Sequence, residues 1–174
     1  MLFRSALADT LTAEVRLGDV RGGTRADSTE VKAEYWTAVH GIALGTELQA
    51  KQAANAGAVD AKFSVKAGVN APEFFGVHTL AYGELGQTFV AGPKQGQFWG
   101  AGVKASRAVF GPVSVNAGYR HRQGFKADDV LNEERLHAGL GLAVTDKTSL
   151  GATYYRTRGT TNSDTVGLSV TRSF

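Results

Sequence analysis

One pattern runs through nearly the whole chain, in which apolar and polar residues alternate with a period of two. Residues 59–69 show it most cleanly, since Val59, Phe63 and Val65 alternate there with Lys62 and Lys66. Side chains of a β-strand point to opposite faces in turn, so this pattern predicts a strand with one apolar and one polar face. About ten segments of this kind, separated by turn residues, follow one another, whereas helices would need a period of 3.6.

Composition narrows the medium in which such strands can fold. The chain has no run of about 18 apolar residues, which excludes transmembrane helices. Transmembrane barrels remain open because alternating strands average to neutral hydropathy, and the mean hydropathy here is −0.16. The absence of cysteine excludes a disulfide scaffold and a cysteine metal site. A net charge of +3 without a basic run gives no reason to expect nucleic acid as a partner.

The connections between the predicted strands alternate in length. The short ones are His40-Gly41, residues 70–73, Gly111-Pro112 and residues 145–148. Most of the others are longer and more polar, and the longest runs from Gln123 to Glu133. Outer-membrane barrels have short periplasmic turns and long external loops. Aromatic residues also collect near strand ends, as expected at a membrane interface: Tyr119, Trp99 and Tyr154 at the predicted outer rim, Phe75 and Phe174 at the inner one.

The last ten residues, Thr165 to Phe174, carry a resemblance to a known family. Val166, Leu168, Val170 and the final Phe174 share one face of this strand. That arrangement resembles the carboxy-terminal assembly signal of bacterial outer-membrane β-barrel proteins. The resemblance implies an all-β, closed, antiparallel up-and-down transmembrane barrel of about ten strands, with eight and twelve as alternatives. It also implies a location in the bacterial outer membrane with periplasmic termini.

The small residues Ala6 and Ala8 before Asp9 have the spacing of a signal-peptidase site, which suggests a division of the chain. Residues 1–8 are expected to be a residual leader or an artefact outside the fold, and residues 9–174 to form a single barrel domain. The expected partners are outer-membrane lipid, lipopolysaccharide and the barrel-assembly machinery, with small anionic solutes as a further expectation.

The polar face of the strands is expected to point into the lumen. It carries too many charges to face lipid, and the apolar face is too continuous to fit inside a small barrel. The residues predicted to line the lumen and meet a solute are Glu14, Arg16, Glu34, Glu47, Lys62, Lys66, Lys104, Arg120, Arg122, Arg135 and His137.

Charges in this predicted lumen are unevenly distributed. The sixth to eighth strands are basic, and reflection through the Gly111-Pro112 turn brings Lys104 opposite or nearly opposite Arg120, where like charges repel. Water in a pore, acidic residues reaching across the lumen, or a bound anion could each relieve this repulsion.

Two functions therefore stay open. The first is a small porin-like diffusion channel that leans toward anionic solutes. The second is a closed structural or interaction barrel whose outer loops bind a partner or lipopolysaccharide. In that second case the loop from Lys126 to Glu133, with Asp128, Asp129 and Glu134, would make contact through divalent cations.

Catalysis is not expected. The residues that could contribute to a barrel hydrolase are His78, Tyr82, Glu84, Ser106, His121 and His137, and they form no recognisable motif. His78 and His137 are expected to join the polar network of the lumen. Four dispersed histidines have no metal-ligand spacing, so neither a metal nor a cofactor is expected.

Overall fold

Ten antiparallel strands close into a barrel in the computed structural model of the protein, as the sequence predicts. The structure describes residues 9–21, 27–53, 59–89, 95–126, 131–160 and 162–174. The strands are β1 (Thr10–Arg21), β2 (Asp27–Val39), β3 (Ile42–Ala53), β4 (Val59–Asn70), β5 (Val77–Phe89), β6 (Gln95–Phe110), β7 (Val113–Gly124), β8 (Asn132–Ala143), β9 (Thr148–Gly159) and β10 (Asn162–Ser173).

Each strand pairs with its neighbours in sequence, and β10 closes the barrel against β1. This closing ladder extends from the pair Thr10 and Ser173 to the pair Arg21 and Asn162 without a shift in register. Closure leaves no sheet edge, so the backbone groups of every strand find partners within the sheet. The alternatives of eight and twelve strands are thereby excluded.

Short connections at one end of the barrel have distinct geometries. His40 and Gly41 both have positive φ, at 50° and 84°, as a two-residue type I′ hairpin requires. Between β6 and β7 a bulge at Val109 changes the register, because Phe110 pairs with Val113 while Ala108 pairs with Ser114. The extra residue keeps the inward positions of β6 level with the inward positions of β7.

Apolar side chains cover the outside of the barrel and charged side chains fill the inside. Leu17 and Leu168 are 62% and 64% exposed, whereas Glu14 and Arg16 are 3% and 2% exposed. A soluble barrel has the opposite arrangement, so this surface is built for an apolar surrounding medium. In the described residues, no helix is long and apolar enough to cross a bilayer.

Phe75, which the sequence pattern places near a strand end at the inner rim, lies outside the strands. It lies in the turn before β5, with a φ of 49° followed by a φ of 73° at Gly76. Its ring contacts that of Phe74 edge to face, with the centroids 4.4 Å apart, and both side chains are exposed. The alternation of apolar residues could not reveal this, because a positive φ ends the extended conformation.

Candidate functional site

Inward-facing side chains gather into one buried network in the barrel, here called the ion-pair cluster. It contains six carboxylates and eight cations, so its cations outnumber its carboxylates by two. The carboxylates are Glu14, Glu30, Glu34, Glu47, Glu84 and Glu133, and the cations are Arg16, Lys32, Lys62, Lys66, Lys104, Arg120, Arg122 and Arg135.

Arg122 shows how the cluster crosses the lumen. It extends from β7 and donates to Glu47 of β3 at 2.7 Å, while its Nε and Nη2 bond the two carboxylate oxygens of Glu84 at 2.7 and 2.8 Å. Strands β3 and β7 are four apart in a ring of ten, so this contact spans nearly the full width of the barrel. Arg122 is 0% exposed as a result. Its paired bonds to Glu84 are the bidentate geometry that a guanidinium favours.

Other pairs join strands with the same separation. Lys104 of β6 donates to Glu34 of β2 at 2.7 Å, and Lys62 of β4 donates to Glu133 of β8 at 3.3 Å. These contacts decide among the three ways of relieving repulsion between the basic strands. Carboxylates from the opposite wall reach across and pair with the cations.

Each of the six carboxylates in the cluster contacts two or three cations. Glu34 accepts hydrogen bonds from Lys66 and Lys104, both at 2.7 Å, and from Lys32 at 3.2 Å. Lys66 also donates to Glu47 at 2.7 Å. Lys32 likewise has a second partner in Glu14, so among the described residues Lys104 is the lysine of this group that pairs with Glu34 alone.

Strand β9 joins the cluster through Tyr155, whose hydroxyl donates to Glu14. Arg16 bonds both Glu14 and Glu30 and lies over the Tyr155 ring, 4.0 Å from the centroid. On β10, Gly167 leaves room for the carboxylate of Glu14, with which a Cβ at this position would collide.

Three aromatic side chains fill the remaining width of the lumen. Trp36 and Tyr82 meet edge to face at 5.6 Å, and Lys66 and Lys104 each lie within 5.6 Å of both ring centroids. Phe98 is fully buried, and the guanidinium carbon of Arg122 lies 4.9 Å from the centroid of the Phe98 ring. Cations near aromatic faces gain attraction from the ring quadrupole, which adds to the ion pairing.

Two cavities lie at opposite ends of this cluster. The turn-end cavity has a volume of about 490 Å³ and is lined mainly by hydroxyl and small apolar groups, with Trp36, Leu80 and Lys104 among its lining residues. The loop-end cavity measures about 140 Å³ and includes Asp60, Lys62 and Arg135 in its lining. Buried side chains of the cluster separate the two.

Known structures share this architecture. No family model matches the sequence, and no curated protein matches it. The β domain of the Bordetella autotransporter BrkA superposes with a TM-score of 0.56 at 13% identity, covering 98% of this chain and 100% of that one. The translocator domain of the autotransporter NalP from Neisseria meningitidis gives 0.53 at 11% identity over 99% and 91% of the two chains. The KdgM porin, in complex with disordered oligogalacturonate, gives 0.53 at 11% identity over 95% and 99%.

The fold is that of a bacterial outer-membrane β-barrel. At these identities the likeness concerns the architecture alone. Within this barrel, all eleven residues predicted to line the lumen point inward. Ten belong to the ion-pair cluster, and the His137 ring lies 5.6 Å from that of Tyr155. Their role toward a solute stays a prediction.

Lys104 and Arg120 are predicted to lie opposite or nearly opposite each other, but the bulge at Val109 shifts the register between β6 and β7. Lys104 pairs with Gly118, and Arg120 pairs with Gly102 on one side and with Arg135 on the other. Arg120 and Arg135 are thus the like charges that lie directly opposite. Both contact Glu133, at 2.8 and 3.3 Å, which offsets their repulsion.

Glu133 is predicted to belong to a partner-binding outer loop, and this prediction is wrong. It lies in β8, is buried, and contacts Lys62, Arg120 and Arg135 inside the barrel. Asp128 and Asp129 of the same predicted loop lie outside the described residues. In the described part of the chain, no group of three acidic or histidine side chains could hold a metal ion.

The residues considered for catalysis are dispersed, with one exception. Glu84 is held by Arg122, and His121 contacts Trp99 edge to face at 5.6 Å. His78, however, lies directly opposite Ser106 in the β5–β6 ladder, and its Nε2 is 3.5 Å from Glu73. These groups sit at the rim of the turn-end cavity, where Glu73 is largely exposed.

Sequence reasoning missed Phe98 as a lumen residue. Phe98 follows the glycine-rich connection 91–96 and was assigned to no strand, yet it is fully buried against Gly86, where a Cβ would collide with its ring. Its even number, shared with the inward Gly100, Gly102 and Lys104, is the signal that could have found it.

Proposed function

We propose that this protein resides in the outer membrane of a Gram-negative bacterium as a closed barrel, with its charged lumen acting as structure and its contacts made at the two ends. The fold shared with outer-membrane barrels and the apolar outer surface support the membrane location. The termini lie at the end of the barrel that carries the two-residue turns 40–41 and 111–112, and the longest connection, residues 125–131, joins strands at the other end, which supports periplasmic termini.

One observation carries the closed lumen: the complete burial of Arg122 between Glu47 and Glu84. A solute passing along the axis would have to break the bidentate pair with Glu84 and the pair with Glu47 that bridges opposite walls. Removing one partner of a buried pair leaves an uncompensated charge and costs about 3–5 kcal/mol, so spontaneous opening is rare.

Recording in planar lipid bilayers tests this proposal. The purified protein is expected to give no stepwise conductance. The double variant Phe98→Ala/Arg122→Ser shortens two fully buried side chains at the narrowest level and is expected to conduct. Thr171→Val, a substitution in the turn-end cavity, is the silent control. Heat-modifiable gel migration confirms that each sample is folded, and stepwise conductance by the unmodified protein contradicts the proposal.

A small diffusion channel leaning toward anions is the second candidate. It is favoured by the surplus of cations in the cluster and by a barrier that, among the described residues, consists of side chains rather than a folded-in loop or helix. This function predicts stepwise conductance from the unmodified protein with reversal potentials that favour anions. The same recordings therefore separate the two candidates.

Outer loops are the expected working parts of a closed barrel. Arg156 and Arg158 are exposed on the outer face of β9 near its loop end, where lipopolysaccharide phosphates would meet them in a membrane. Deleting residues 127–130 is expected to weaken lipopolysaccharide capture while leaving heat-modifiable migration intact. Unchanged capture by the folded deletion variant would exclude that loop as the contact.

The terminal strand is expected to serve assembly. The backbone N–H of Phe174 donates to the carbonyl of Asp9 at 3.0 Å, beside the closing ladder of β1 and β10. Recognition of Val166, Leu168, Val170 and Phe174 by the barrel-assembly machinery stays a prediction. Deletion of Phe174 should lower membrane insertion in cells, and normal insertion would contradict it.

A further inference from the structure

The turn-end cavity combines three features that a ligand site needs. Its volume of about 490 Å³ falls within the range of about 300–1,000 Å³ that is typical of small-molecule pockets. It opens toward the short turns, since Thr145, Asp146 and Lys147 belong to its lining. The buried ion-pair cluster closes its inner end, so it is a pocket rather than a passage.

A partly free cation lies at that inner end. The Lys104 side chain is 31% exposed, whereas that of Lys66, which shares the same carboxylate oxygen, is 1% exposed. Among the described residues, Glu34 is the one acid within ion-pair distance of Lys104, and Glu34 also serves Lys32 and Lys66. An ammonium group has three donors, so Lys104 can bond an additional anion.

The walls next to Lys104 are apolar and aromatic. Trp36 lines the cavity with its indole against Gly45, where an added Cβ would lie 2.8 Å from the ring. Leu80 sits at an inward position of β5, although most inward positions of the barrel are polar or small. The indole N–H of Trp36 is buried and finds no hydrogen-bond acceptor in the described part of the protein.

We propose that the turn-end cavity binds a small amphiphilic monocarboxylate, with the carboxylate on Lys104 and an apolar ring or short chain between Trp36 and Leu80. Positive charge at the closed end selects an anion, because the cations of the cluster outnumber its carboxylates. Apolar groups beside that charge favour a ligand with an apolar body over a bare inorganic anion. The site goes beyond the closed-barrel function, and its occupation does not depend on whether the lumen conducts.

Tryptophan fluorescence can test this directly, since the chain has two tryptophans and the other, Trp99, faces outward. In a Trp99→Phe background, 3-phenylpropanoate is expected to quench Trp36 saturably in detergent-solubilised, folded protein. The neutral 3-phenylpropan-1-ol, which has the same ring, reports partition into detergent and should not saturate. Inorganic phosphate, a charged ion without an apolar body, should bind at least tenfold more weakly.

Lys104→Gln should weaken binding of 3-phenylpropanoate at least tenfold. The matched control is Arg107→Gln, which removes a positive charge from the outward face of the same strand and should leave the affinity unchanged. Ala143→Phe, which fills the cavity from β8, across the barrel from Trp36 of β2, should abolish saturable quenching. Absence of saturation in the parent, equal affinity for the alcohol, or equal affinity in Lys104→Gln would each overturn the proposal. Conductance by the same protein would overturn the closed lumen and leave this result standing.

Discussion

The turn-end cavity and the ion-pair cluster differ in what their inward positions carry, although the same barrel lines both. Around the turn-end cavity these positions hold small groups such as Ser114, Ala143, Ser149 and Thr171, and about 490 Å³ remains unfilled. At the ion-pair cluster they hold long charged side chains, and Arg122 is completely buried. Strand number alone therefore does not decide whether a barrel is open, because side-chain volume can fill or empty the same cross-section.

The difference also concerns how each region responds to change. A buried ion pair that loses one member leaves the other charge without compensation, at a cost of about 3–5 kcal/mol. A hydroxyl beside an open cavity can exchange its partner for water, and its loss costs only about 1 kcal/mol. Substitution effects should therefore fall steadily from the cluster to the cavity.

The largest effect is expected for Arg122→Ala. It removes the shared partner of Glu47 and Glu84 and leaves both carboxylates buried, so the free energy of unfolding should fall by about 3–5 kcal/mol. Urea unfolding in detergent micelles, followed by heat-modifiable gel migration, measures the change. Ser114→Ala at the cavity is the matched control, and an equal loss in the two variants would remove the distinction between the regions.

Two lysines on the same carboxylate sharpen the boundary between the regions. Lys66 is buried and bonds both Glu34 and Glu47, whereas Lys104 is partly exposed and pairs with Glu34. Lys66→Gln should lower the free energy of unfolding by about 2–4 kcal/mol, and Lys104→Gln by less than about 1 kcal/mol. The same unfolding assay compares the two variants. A larger loss for Lys104→Gln than for Lys66→Gln would contradict the boundary drawn between the cluster and the cavity.

A smaller contrast concerns glycines in the two regions. A Cβ at Gly167 would meet the Glu14 carboxylate and the Tyr155 ring, while one at Gly141 would approach the rotatable Ser114 hydroxyl, 2.5 Å away. Gly167→Ala should cost about 1–3 kcal/mol because it overpacks the cluster. Gly141→Ala should cost much less, since the hydroxyl can turn away. Similar unfolding midpoints for both variants would indicate that the cluster accommodates an added methyl group as easily as the cavity does.

The smallest effect is expected at the hydroxyl pair of Thr12 and Thr171, whose oxygens are 2.9 Å apart. Thr171→Val breaks this single bond, and water in the cavity can replace it. The free energy of unfolding should fall by no more than about 1 kcal/mol. A loss comparable to that of Arg122→Ala would show that the turn-end region is as tightly coupled as the cluster.

Much of the barrel could be predicted because strand faces depend only on residue parity. The alternation around Lys62 and Lys66 places their side chains inside without knowledge of any partner strand. Local exceptions were harder. The positive φ of Phe75 and the bulge at Val109 each interrupt the alternation by a backbone conformation that no residue pattern in this chain announces.

The contacts of the cluster could not be predicted for a different reason. Whether Arg122 reaches Glu47 depends on strand tilt and on the stagger accumulated across four strands, and neither is encoded in any one segment. Glu133 illustrates the same limit, because its neighbours Lys62 and Arg120 come from β4 and β7, and the sequence around it is typical of a loop.

Pairing across the barrel has a consequence for its biogenesis. Glu47 meets Arg122, and Glu34 meets Lys104, only when strands four positions apart have curved round to face each other. A half-formed sheet in a bilayer would hold those charges unmatched, at a cost of several kcal/mol each. The pairs that bridge the barrel therefore favour the closed cylinder over a stalled, incomplete sheet.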